Sequence, residues 1–302
     1  MICSHQDLIN CARELPASKL SVAAACDREV LQGVKLAVDK QVAEPILVGD
    51  EPLIRKLMRE INLSEDRVEI VHEPDPILAA KIAVKLVRQG LAQVVMKGMV
   101  DSANFMRAVL DEANGLRNGG ILSHLGAFEV PGWNRLIYMT DAGINIAPNL
   151  KQKIGILENS VVGVRALGIA EPKVAVLAAV EVVNPKMQAT LDAAELVRLS
   201  EEGAFPGVSV AGPYALDIAI DKEAAEHKRI FGAVAGKADI LLVPNIETGN
   251  IFAKALTYFA GATMAGIVMG PSAPVILTSR NDSPESKLAS VALAMVVRHG
   301  MK

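Results

Sequence analysis

Aromatic side chains are scarce in this chain: one tryptophan, three tyrosines and six phenylalanines, 3% of the residues. Its core must therefore be filled by Ala, Val, Leu and Ile, which bring the hydrophobic share to 51% and suit helices layered on a parallel sheet. Cysteine is scarce as well. Cys3, Cys11 and Cys26 are an odd number, clustered early and without paired spacing, which speaks against a disulfide framework or a zinc site. His5, His72, His124, His227 and His299 stand singly, with no His-x-x-x-His pair, so no metal site is expected from motifs. Charge of either sign never accumulates. Thirty-one basic and 34 acidic residues leave a net charge of −3, and without a basic block neither nucleic acid nor an anionic membrane is implied as a partner. Apolar stretches stop short of a bilayer span, because Glu181 interrupts one and Pro271 and Pro274 another. The segment Met1 to Asp7 has no basic region followed by an apolar stretch, and a cytoplasmic location is expected.

What is present is alternation. At 302 residues the chain has room for two α/β domains. Strand-like runs recur at 20–25, 45–49, 68–72, 93–97, 136–140, 173–179, 208–211, 240–244 and 274–278, with helical patterns filling most gaps. Residues 76–89 are one such helix: Ile77, Leu78, Ile82, Val84, Leu86 and Val87 alternate with Lys81, Lys85 and Arg88, and Gly90 follows. The pattern predicts right-handed βαβ units in a mostly parallel sheet, which binds ligands at the carboxyl ends of its strands. Two small-residue segments punctuate it, Asn114 to Gly120 and Ala260 to Gly266. Read as domain crossings, they give a discontinuous first domain of residues 1–120 plus 267–302 and a second domain of residues 121–266, with the active cleft between them.

The most informative stretch runs from Pro274 to Lys287. A short apolar strand gives way to a polar turn, then to Ser283, which suits an N-cap, and Pro284, which suits the first helical position. Ser279 and Arg280 thus fall beside unpaired helix-start N–H groups, a setting that favours a phosphate-like anion. A second strand exit, Val243 to Ile251, has the same character and contains Thr248, Gly249 and Asn250. Gly232 to Ala238 imitates a nucleotide-binding loop, but it is one residue short and ends in Ala238; it reads better as a helix termination. Asp217 and Asp221 stand four apart and could share a helix face around magnesium, with a solvated face as the plainer account.

Taken with Asp101 to Arg107, Met139 to Asn145, Gly212 to Asp217 and Ala235 to Asp239 in that order, these loops resemble the phosphate acetyl/butyryltransferase family over most of the chain. The run Thr278 to Lys287 and the segment Val130 to Arg135 are most similar to its butyryltransferase branch. The resemblance implies a two-domain, three-layer αβα fold like that of isocitrate and isopropylmalate dehydrogenases. It implies reversible transfer of a short acyl group between coenzyme A and phosphate by direct attack in a ternary complex. Coenzyme A enters as substrate or product and no cofactor is bound. Ser279 and Arg280 would be catalytic, Arg280 with its fork on phosphate, while Arg107, Arg88, Thr248, Gly249, Asn250 and Ser286 would line the substrates. Phosphate acetyltransferases place an Asp seven residues after the motif Ser, and here that place is Ser286. The base is thereby open, with Asp282 on the turn the first candidate. The family also implies a homodimer or larger homo-oligomer and a butyrate or acetate kinase as pathway partner. Three alternatives stand beside the butyryl reading: an acetyltransferase, a metal-dependent dehydrogenase of the same fold, and a catalytically silent acyl-CoA-binding regulator.

Overall fold

The computed structural model describes residues 2–279 and 282–301. The chain divides into two units, one of Cys3–Gly120 with Met264–Lys302, the other of Met1–Ile2 with Ile121–Thr263. It is an α/β protein with mostly parallel pairing.

In the first unit α1 (His5–Glu14) precedes four strand–helix steps. β1 (Lys19–Ala23), β2 (Glu44–Gly49), β3 (Glu69–His72) and β4 (Val94–Lys97) lead into α2 (Arg28–Asp39), α3 (Glu51–Glu60), α4 (Pro76–Arg88) and α5 (Ser102–Val109). An aspartate starts each of these helices: Asp27, Asp50, Asp75 and Asp101 accept from the N–H of Val30, Leu53, Ile77 and Asn104 at 2.8, 3.1, 2.7 and 2.8 Å. Each cap satisfies a helix-start donor and suits the positive end of the dipole. The Asn104 N–H also holds the Asp101 carboxyl below its ordinary range.

The second unit contributes β5 (Ser123–Glu129), β6 (Ile137–Thr140), α6 (Leu150–Ala166), β7 (Lys173–Leu177), α7 (Gln188–Glu201), β8 (Ser209–Tyr214), α8 (Leu216–Ile220), α9 (Lys222–His227), β9 (Ile240–Leu242) and α10 (Ile246–Phe259). Its strands lie in the order β5-β6-β9-β7-β8, parallel except for the β5–β6 pair. The chain then returns to the first unit through β10 (Thr263–Met269), β11 (Val275–Ile276) and α11 (Pro284–Gly300). Strand order there is β3-β2-β1-β4-β11-β10, with only β10 antiparallel. All of Lys287 to Val297 in α11 is buried, and the helix packs against α1 and α2.

Residues 260–266, read as punctuation, hold the division between the units after Thr263 and the first residues of β10. One reading of the sequence is corrected here. Gly232 to Ala238 is a turn rather than a helix end: α9 stops at His227, and the Gly236 N–H donates to Ile218 O at 2.8 Å. Among the described residues no helix is long and apolar enough to cross a membrane. The three cysteines are free thiols.

Candidate active site

In the first unit, strands added after β1 run in one direction through β2 and β3 and in the other through β4 and β11. The strand order therefore reverses beside β1, and the crevice at the carboxyl ends of β1 and β4 is where such sheets receive ligands. Ser279 arrives at that place from β11. A small pocket there is lined by Asp27 and Val30 after β1, Lys97 at the end of β4 with Gly98 and Met99 after it, and Thr278, Ser279 and Lys287.

The turn that carries Ser279 is closed by Asp282. The Asp282 Oδ2 accepts from Ser279 N at 2.7 Å, and the Asp282 N–H donates to Ser279 O at 3.2 Å. Ser283 then caps α11, its hydroxyl accepting from Ser286 N at 3.1 Å, with Pro284 in the first turn. Ser286 is half-buried, and its carbonyl accepts from Ser290 Oγ at 2.9 Å. Ser290 in turn accepts from Gly266 N at 3.0 Å, which ties α11 to β10. Arg280 lies outside the described residues.

Two lysines that sequence reasoning passed over flank this turn. Lys97 and Lys287 are 7% and 1% exposed. Lys97 Nζ donates to the carbonyls of Gly98 and Val100, both at 3.2 Å, and Lys287 Nζ donates to Asp282 O. Each had a visible signal: Lys97 ends the apolar run Val94 to Met96, and Lys287 directly precedes Leu288 to Val297.

The arginines are placed less simply. Arg107, read as near a helix start, stands in the last turn of α5, because that helix is only 8 residues long. It is exposed, and its Nη1 donates to Asn104 Oδ1 at 2.7 Å, while Asn104 Nδ2 donates to Asp101 Oδ2 at 2.6 Å. Arg88 ends α4, which begins at the carboxyl edge of β3 and runs back toward the start of β4. A helix of 13 residues is about 20 Å long, so Arg88 lies at the opposite edge of the sheet from Ser279.

Thr248, Gly249 and Asn250 open α10 in the second unit. Asn245 caps that helix, accepting from Thr248 N at 2.9 Å and from its hydroxyl at 2.7 Å. Gly249 is required by close approach: a Cβ there would lie 2.8 Å from Ala142 Cα and 3.0 Å from Asp141 O. Asp141, 2% exposed, gathers the neighbouring loop by accepting from the backbone N–H groups of His124, Gly143, Ile144 and Asn145 and from the Asn145 amide. Asp217 and Asp221, read as sharing a helix face, do not: Asp217 is in α8, 3.6 Å from the Lys228 ammonium, and Asp221 caps α9. The chain turns at Asp221, whose backbone is extended (φ −112°, ψ 118°), so its carboxylate serves the start of the next helix. Among the described residues no group of three or more His, Cys, Asp or Glu is arranged to hold a metal.

Comparison with known proteins agrees with this architecture. The model of the family described as "Phosphate acetyl/butaryl transferase" matches residues 75–295. The chain is 48% identical to the phosphate butyryltransferase of Clostridium beijerinckii, with 97% of each chain covered. It is 41% identical to the phosphate acetyltransferase of Thermotoga maritima, over 92% of this chain and 94% of that one. Among solved structures, a branched-chain phosphotransacylase from Enterococcus faecalis superposes with a TM-score of 0.83 at 36% identity, covering 93% of this chain and 99% of the other. A 4-hydroxythreonine-4-phosphate dehydrogenase from Klebsiella pneumoniae, at 13% identity and a TM-score of 0.59, covers 94% of this chain and shares the fold alone. A match of this extent, with the Ser279 turn at the switch point of a mostly parallel sheet, makes the chain a member of the phosphate acetyl/butyryl transferase family of acyltransferases.

Proposed function

We propose that the chain catalyses butanoyl-CoA + phosphate = butanoyl phosphate + CoA, working in the cytoplasm. The observation that carries the reading is the 48% identity to a named butyryltransferase across nearly the whole of both chains. A phosphate oxygen attacks the thioester carbonyl carbon, the C–S bond breaks, and the thiolate of coenzyme A leaves and takes a proton. In the reverse direction the thiol loses that proton as its sulfur attacks the acyl phosphate.

Phosphate carries up to two negative charges and needs a donor that does not titrate, which a guanidinium provides. Arg280 fills that role, and Ser279 donates to the carbonyl oxygen as charge develops on it. Asp282 closes the turn through Oδ2 and offers its second oxygen as acceptor for the thiol proton. Thr248, Gly249 and Asn250 shape the anion pocket, Gly249 allowing close backbone approach, with Arg107 on phosphate or coenzyme A.

The test is thiol release from butyryl-CoA with and without phosphate, repeated with acetyl-CoA and with a chelator. Release that depends on phosphate, is fastest with butyryl-CoA and is indifferent to chelator supports the reading. A preference for acetyl-CoA makes the chain an acetyltransferase. Loss with chelator favours the dehydrogenase chemistry of the same fold, and absence of release with every short acyl-CoA leaves a binding regulator. Arg280→Ala is expected to lose about 1.5 to 3 kcal/mol of phosphate-dependent kcat/KM, the strength of one charge-assisted hydrogen bond. Unchanged kinetics would remove Arg280 from the site.

An acyl phosphate product calls for a kinase that passes its phosphoryl group to a nucleoside diphosphate, a butyrate or acetate kinase. Self-association belongs to the same reading. It is supported by α10, on which Ile251, Tyr258 and Phe259 are 69, 74 and 92% exposed, a surface of the kind that proteins cover by assembly. Sedimentation velocity is expected to give a dimer or larger for the wild-type chain and a smaller species for Tyr258→Glu; a monomer in both cases would remove the oligomer.

A further inference from the structure

Lys287 is an anomaly at this edge of the sheet. Its side chain is 1% exposed, and it stands in the first turn of α11, where the helix dipole disfavours a cation. Among the described residues its Nζ has one hydrogen bond, to the neutral carbonyl of Asp282. Burying an ammonium without a carboxylate is costly, so stability does not account for a lysine at this point. The neighbouring helix leaves room for it: a Cβ on Gly33 of α2 would lie 2.7 Å from Lys287 Cβ and 3.2 Å from its Cδ.

The carbonyl that Lys287 holds belongs to the residue that closes the turn of Ser279 from both ends, through the carboxylate at 2.7 Å and the N–H at 3.2 Å. One buried ammonium therefore ties Asp282, and through it Ser279, to the body of α11. The cavity behind the turn has a volume of about 10 Å³, which is room for roughly one water. The Lys287 Nζ is engaged by the Asp282 carbonyl and acts through that backbone.

We propose that Lys287 is the positioning residue of the phosphate-transfer turn, holding Asp282 so that the Ser279 hydroxyl meets the reacting carbonyl. The proposal rests on the acyltransferase reading above. Its test uses the full chain in phosphate-dependent thiol release from butyryl-CoA. Lys287→Met keeps the length of the stem and removes the donor. It is expected to lower kcat about tenfold to a hundredfold, the effect of a displacement near 1 Å, while the KM for butyryl-CoA stays within about twofold of the wild type. A folded Met variant with wild-type kcat, or one whose KM rises at unchanged kcat, overturns the proposal. Should the Met variant fail to fold, Lys287→Gln replaces it, because the amide carries no charge and its shorter stem withdraws the donor from Asp282 O. A lower kcat at unchanged KM supports the proposal, and a wild-type kcat overturns it. Absence of phosphate-dependent release in the wild-type chain would instead overturn the acyltransferase reading itself, and this proposal with it.

Discussion

Replacing Asp141 by alanine is expected to destabilise the protein by roughly 3 to 5 kcal/mol, near the upper end of what single substitutions do. The carboxylate accepts five hydrogen bonds at 2.6 to 3.1 Å, four of them from backbone N–H groups between His124 and Asn145. Alanine leaves every one of those donors without its acceptor, and solvent reaches only part of the loop. Asn145 is doubly affected, because its amide also donates to Leu122 O at 2.7 Å and so ties the loop to the entry of β5. Asp141→Asn keeps one acceptor oxygen and should retain part of the stability. The measurement is urea unfolding followed by the emission of Trp133, the chain's single tryptophan, which lies in the same unit. A loss under about 1 kcal/mol, as for an ordinary surface site, would mean that the loop is held by other contacts.

Asp192→Ala is expected to cost about 3 to 5 kcal/mol for a different reason, the stranding of a buried charge. Lys153 of α6 and Asp192 of α7 meet at 2.6 Å with side chains 5 and 6% exposed, and Asp192 also accepts from Gln188 Nε2 at 2.8 Å. Removing the carboxylate leaves an ammonium that water does not reach. The paired replacement Lys153→Met with Asp192→Leu removes both charges and should recover most of the loss, since apolar side chains of similar volume pack as well as a buried ion pair. If the double variant is as unstable as the single one, the pair contributes through its shape and hydrogen bonds rather than through charge.

Much of this fold is legible in the chain because it is built locally. Val94 to Lys97 is an apolar strand, Asp101 follows it, and Asp101 caps α5; the same grammar serves β1, β2 and β3. Ser283 and Pro284 announce the start of α11 in the same way. β5 and β10 escape that grammar. Gly126 interrupts Ser123 to Glu129, Ala265 and Gly266 weaken Thr263 to Met269, and both strands are fixed by antiparallel partners, which no local pattern encodes. The site divides along the same line. Ser279 and Asp282 belong to one turn and are found together in sequence and in space. Arg88 is separated from that turn by the direction of α4, and Lys287 acquires its meaning only when α2, with Gly33, is packed beside it.

The burial of α11 bears on how acyl preference can be altered. From Lys287 to Val297 every residue faces protein, and small side chains such as Ala289, Ser290, Ala292 and Ala294 allow the neighbouring elements to approach. Substitution along this helix changes packing before it changes a substrate pocket, and interiors packed to crystal density resist added volume. A variant library that seeks longer or branched acyl groups should therefore leave α11 untouched and draw its diversity from the strand exits. Libraries that randomise 288–297 should return mostly insoluble protein, whatever chain length they are screened against.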